Sequence, residues 1–126
     1  MKPTVTPVTP SGLSPQVVSP SALQNSSFQR WYGEGETLAN AGAYERALRC
    51  FKEAAIVCPQ EASALVYQVV CLIHLGQPDR ALALSEQVLA IAPNHAQGWL
   101  FSGVALHRLG RYTEAYACYA QVKPSQ

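Results

Sequence analysis

Glycine, alanine and proline recur in this chain on one shared interval. Gly42, Gly76 and Gly110 stand 34 residues apart, Ala47, Ala81 and Ala115 repeat the step, and Pro59 and Pro93 share it. Trp31 and Trp99 lie two such steps apart with Leu65 midway, and Cys50 and Cys118 are separated by the same double interval. Three independent columns in one register restrict the chain to a repeated unit, and the residue types say what that unit does. Glycine takes the left-handed conformation that closes a helix, and proline stops a second helix because it cannot continue the hydrogen-bond ladder. Each period therefore reads helix, tight turn, helix, stop. The alanines fall early in the second helix, where a small side chain lets the two helices of a pair approach closely, and Gly35 and Gly103 do the same from the first helix. The spacing predicts helices over 28–41, 44–57, 62–75, 78–91, 96–109 and 112–122. Ser26 followed by Gln29 is a capping box that opens the first of them, with Phe28 and Trp31 on its buried side.

These residues resemble the tetratricopeptide repeat, whose pattern is W-x2-L-G-x2-Y, then A-x3-F, then P, on a 34-residue period. The first repeat offers Trp31, Gly35, Leu38, Ala47, Phe51 and Pro59. The second offers Leu65, Leu72, Ala81 and Pro93, and departs from the pattern with Val69 for the glycine and Ser85 for the aromatic. The third offers Trp99, Gly103, Leu106, Ala115 and Tyr119. Where the pattern has leucine before the glycine, this sequence has Glu34, Gln68 and Ser102. The resemblance covers residues 28–123. It implies an all-α fold, a right-handed superhelical solenoid of three helix-turn-helix pairs and six helices, with the first helix of each pair lining the concave side. The repeats fall at 28–61, 62–95 and 96–126 within a domain spanning 26–126.

Residues 1–25 carry five prolines, Pro3, Pro7, Pro10, Pro15 and Pro20, among Ser, Thr and Val. Proline at that density opposes helix and sheet alike and predicts a disordered, flexible N-terminal tail. Leu13, Val17, Val18 and Leu23 leave docking of the tail onto the folded part open. Only 13% of residues are charged and 48% are hydrophobic, which predicts a surface less polar than usual and hence a partner. The formal charge is +1, and Arg46, Arg49 and Lys52 are interleaved with Glu45 and Glu53, so no footprint for nucleic acid appears. The start has no apolar leader, and no apolar run reaches the roughly 18 residues of a membrane helix. The chain reads as soluble, unsecreted and cytoplasmic.

The run from Ser63 to Gly76, SALVYQVVCLIHLG, is apolar nearly all the way round a helix and must be covered on most sides. The register assigns Leu65, Val69, Cys71 and Leu72 to the core and turns Val66, Tyr67, Val70 and Ile73 toward the concave groove. By the resemblance, Tyr32 and Glu36 from the first repeat and Leu100, Phe101, Val104 and His107 from the third complete the lining. Grooves of this family hold a peptide or helix of another protein. One subclass grips the terminal carboxylate of chaperones with Lys, Asn and Arg, but at those places this sequence has Tyr32, Glu36, Tyr67, Gln97 and Phe101. The expected partner is thus an apolar or aromatic protein segment rather than a carboxylate terminus, with Tyr32, Tyr67 and Phe101 as anchors. The alternative is that these side chains pack among the first helices of neighbouring repeats.

Cys50, Cys58, Cys71 and Cys118 form no CxxC, and with His74, His95 and His107 they make no zinc spacing, so free thiols and no metal are expected. No nucleophile constellation or phosphate-binding loop is present either. The expectation is a binding module, an adaptor or assembly factor without enzymatic activity or cofactor. A second reading is a self-associating or chaperone-like scaffold, or a fragment of a longer repeat protein. It draws on Tyr112, Tyr116, Tyr119 and Val122, which load the last helix with large side chains. Those tyrosines could pack inward, meet further chain, or form a homo-oligomer through that helix.

Overall fold

The computed structural model describes residues 20–122. Six α-helices follow one another: α1 (Pro20–Asn40), α2 (Tyr44–Val57), α3 (Ala62–His74), α4 (Pro78–Ile91), α5 (Ala96–Arg108) and α6 (Tyr112–Ala120). Among the described residues there is no strand. Gly42, Gly76 and Gly110 have φ of 81°, 76° and 79° and close α1, α3 and α5. At Gly76 the closure is a Schellman motif, with Gln77 N–H donating to the Leu72 carbonyl at 2.9 Å and Gly76 N–H to that of Ile73 at 3.0 Å. The turns at Gly42 and Gly110 repeat the pair of bonds, from Ala43 to Leu38 and from Arg111 to Leu106. Helices α2 and α4 each end two residues before their proline, Pro59 and Pro93.

The first helix begins earlier than the spacing predicts. It starts at Pro20, so Ser26 lies inside α1 and the capping box is not used. A proline at the first helical position sacrifices no hydrogen bond, because its nitrogen would be unpaired there in any case. Contacts with the end of α2 support the extra turns: Gln24 Nε2 donates to the Val57 carbonyl at 3.3 Å, and Leu23 lies beside Ile56 and Val57. Residues 20–25 of the expected tail are therefore helical. Its remainder, 1–19, lies outside the described residues.

Each helix packs on the next in sequence, and α3 also packs on α5. A chain in which contacts run only between near neighbours is a solenoid. Ala47, Ala81 and Ala115 are fully buried at the close crossing of each pair. In the first and third repeats a glycine makes room for an aromatic ring: a Cβ on Gly35 would meet the Phe51 ring at 2.8 Å, and one on Gly103 the Tyr119 ring at 2.4 Å. The second repeat inverts the sizes. Val69 stands in the glycine column and Ser85 in the aromatic column, and both are buried.

The polar column Glu34, Gln68, Ser102 is likewise resolved by position. Gln68 and Ser102 are buried, and each reaches back to the preceding repeat. Gln68 Nε2 donates to the Phe51 carbonyl at 3.2 Å. Ser102 Oγ donates to Ser85 Oγ at 2.8 Å, and Ser85 Oγ passes the chain on to the Leu82 carbonyl at 2.9 Å. These bonds satisfy groups whose burial would otherwise be costly. Glu34, the member of this column in the first repeat, is exposed.

Candidate binding groove

The central helix α3 buries more of its circumference than its register predicts. Leu65, Val69, Cys71 and Leu72 are in the core as expected, but Val66 and Ile73, expected in the groove, are each only 5% exposed. The reason is geometric. A helix flanked by α2, α4 and α5 has neighbours on three sides, so side chains beyond a single stripe are covered. Ile73 belongs to the cluster with Leu48, Phe51 and Leu72, whereas Val66 still shows an edge to the groove.

What stays accessible on this side is a cavity of about 360 Å³ where α1, α3 and α5 meet, lined by Tyr32, Val66, Tyr67, Val70, Gln97 and Phe101. Its aromatic wall is held rigidly. Tyr67 stacks on Phe51 at 4.6 Å with the planes 6° apart. Tyr32 meets both rings edge-on, at 5.7 Å from Phe51 and 5.4 Å from Tyr67, and stacks on Phe28 at 5.3 Å. Such pairs add to area burial and fix ring orientation. The Tyr67 hydroxyl donates to Glu36 Oε2 at 3.2 Å, and Ser63 Oγ donates to Glu61 Oε2 at 3.0 Å. Burial raises the Tyr67 phenol above its ordinary range, reinforced by its bond to Glu36. Burial also raises Tyr32, opposed by a hydrogen bond with Ser63 and helped by the charges of Glu36 and Glu61. Both rings thus keep their protons as neutral hydroxyls, and no Lys or Arg lines the cavity.

The ten positions expected to line the groove do not all converge. Tyr32, Val66, Tyr67, Val70 and Phe101 come together, and Glu36 braces them through Tyr67. Leu100 is 38% exposed, outside the cavity. Val104 packs, half-buried, against the core, and Ile73 is within it. His107 turns toward α6, its ring 4.9 Å from that of Tyr112. Gln97, at a clamp position of the family but not among the ten expected lining residues, joins the wall from the first turn of α5. His74 stacks flat on Tyr44 at 4.2 Å and so pairs with α2.

The cysteines at 50, 58, 71 and 118 are free. Cys71 is fully enclosed, and burial pushes its thiol up to about 11. Among the described residues no group of three or more His, Cys, Asp or Glu side chains is arranged to hold a metal ion. No helix among them is long and apolar enough to cross a membrane.

Three stacked helical hairpins, closed by glycine and bearing a groove on the face of their first helices, define a tetratricopeptide-repeat domain. More particularly, the chain belongs to the family described as the cilia and flagella-associated protein 70 middle TPR-like domain, whose pattern matches residues 21–124. No curated protein matches it in sequence. Solved structures share the architecture. The second TPR of Spaghetti (RPAP3) bound to the HSP90 peptide SRMEEVD has a TM-score of 0.74 at 18% identity over 79% of this chain and 94% of that one. The TPR domain of Sgt2 from Aspergillus fumigatus gives 0.72 at 18% identity, covering 87% and 69%. The TPR2B domain of yeast Sti1 in complex with pHsp70 gives 0.74 at 15% identity, covering 77% and 78%. At these identities the likeness is one of fold.

Proposed function

We propose that this domain is a non-catalytic protein-interaction module, an adaptor or assembly factor in the cytoplasm, whose concave groove holds an apolar or aromatic segment of a partner protein. The observation that carries the reading is the cavity in which Tyr32, Tyr67 and Phe101, one from each first helix, converge over Val66 and Val70. A side chain entering it meets pre-oriented rings and gives up little water-exposed polarity. A partner segment that buried about 400 Å² of apolar surface along the whole groove would gain about 10 kcal/mol gross at roughly 25 cal/mol/Å². Association costs on the order of 4–15 kcal/mol leave at most about 6 kcal/mol, a complex of roughly tens of micromolar or weaker. The peptide in the Spaghetti complex, SRMEEVD, ends in acidic residues. In this groove such a terminus would find Glu36 and phenol hydroxyls where a clamp needs cations.

The test uses purified domain and a displayed peptide library, with SRMEEVD as a fixed comparator. Selected peptides should be rich in aromatic and aliphatic residues, and Val70→Glu or Phe101→Glu should weaken them at least tenfold without loss of helical content. Tight binding of SRMEEVD, or selected peptides indifferent to both substitutions, would sink the proposal.

A further inference from the structure

The repeat register gives each end of the solenoid a definite surface. Inside the molecule, one column of first-helix side chains seats each repeat on the second helix of its predecessor. Gln68 bonds the Phe51 carbonyl and Ser102 bonds Ser85, both across 17 residues. One turn further along the same helices, Leu72 and Leu106 are buried. In the first repeat these columns hold Glu34, exposed, and Leu38, half-buried. With Trp31, Arg46, Arg49 and Cys50 they border an open cavity of about 510 Å³ at the N-terminal end.

The other end carries the complementary surface. In the first repeat Leu48 is buried in the cluster that holds Leu72 of α3, and Tyr44 stacks on His74 of α3. The third repeat has Tyr116 and Tyr112 in those columns, 59% and 52% exposed. Tyr119, in the column of Phe51 and Ser85, is half-buried against Gly103. So the N-terminal end shows the face by which the second and third repeats sit on a predecessor, and the C-terminal end shows the face on which they sit.

We propose that the two faces meet between molecules: α6 of a second copy fills the cavity beside α1, and copies stack head to tail in continuation of the solenoid. The interface inside the molecule is its template, and the register then sets Glu34 of one copy opposite Tyr119 of the next. Each equivalent internal face is occupied by a helix. Helix α6 of a second copy is already in register for that place. An interface of two different faces that continues a superhelix does not close into a ring and extends by addition.

Sedimentation of the full chain across a concentration series tests this. The weight-average mass should rise from the 13.6 kDa monomer past the dimer without a plateau. Glu34→Arg spoils one face and Tyr116→Glu the other; both residues are exposed, so both variants should fold by circular dichroism and stay monomeric alone. Arg49→Glu serves as a second variant of the first face. Mixed, Glu34→Arg and Tyr116→Glu should form a species of twice the monomer mass and no larger, because each retains one good face. Phe101→Glu, in the groove, should associate as the wild type does. A wild type that stays monomeric, a closed dimer indifferent to Glu34→Arg, or a mixture that fails to pair would each overturn the proposal. So would association that appears only after deletion of residues 1–19.

Discussion

Gly35 and Gly103 look equivalent in the sequence, and their surroundings separate them. An alanine at either gains about 1 kcal/mol of helix propensity, against the roughly 1–3 kcal/mol that overpacking a core costs. Phe51, which faces Gly35, is fully enclosed and clamped by Tyr32 and Tyr67, so it cannot yield. Tyr119, which faces Gly103, is half-buried and has solvent to turn into. Gly35→Ala should therefore lower stability by about 1–2 kcal/mol in urea titrations, and Gly103→Ala should cost less, the remainder coming from the Ala115 carbonyl oxygen that its Cβ meets at 3.1 Å. The serine pair gives a second ordering. Removing Ser102 leaves Ser85 still bonded to the Leu82 carbonyl, whereas removing Ser85 strands the buried Ser102 hydroxyl. Ser85→Ala should cost about 1–3 kcal/mol and Ser102→Ala less than about 1. Equal costs in denaturant titrations would show that the hydroxyl chain does not act as the geometry indicates.

The helices differ in how far the sequence announced them. The glycine and proline columns located α2 to α6 within one or two residues because backbone chemistry alone sets those ends. The start of α1 was hidden, since a helix extended by contacts with α2 leaves no local signal, and Pro20 is as compatible with a helix start as with a tail. In α3 the register found the core stripe but not Val66 and Ile73, whose burial depends on where α2, α4 and α5 stand. The same gap dispersed the groove. Periodicity says which face a residue occupies, and it cannot say that His107 is taken by Tyr112. One helix start does carry a side-chain cap: His95 Nδ1 accepts from Gly98 N–H at 3.2 Å. His95→Ala should cost about 1 kcal/mol, read from the thermal midpoint, and His95→Asn should restore most of it.

Burial is uneven along the solenoid. Most of α3 is covered on all sides, whereas α6 has only Ala115 buried. Opening free energies follow such differences in repeat proteins. Native-state hydrogen exchange should release the amides of α6 first and those of α3 last, and uniform protection would argue for a single cooperative unit. The seams between repeats add a consequence for shuffling. Each size pair, Gly35 with Phe51, Val69 with Ser85 and Gly103 with Tyr119, lies within one repeat and would travel with it if repeats were exchanged. The bond from Ser102 to Ser85 spans two repeats. Seating the third repeat directly on the first would place Ser102 beside Phe51, whose side chain offers no hydrogen-bond acceptor. A reordered chain would thus keep three sound hairpins and lose the contact that tells them in which order to stand.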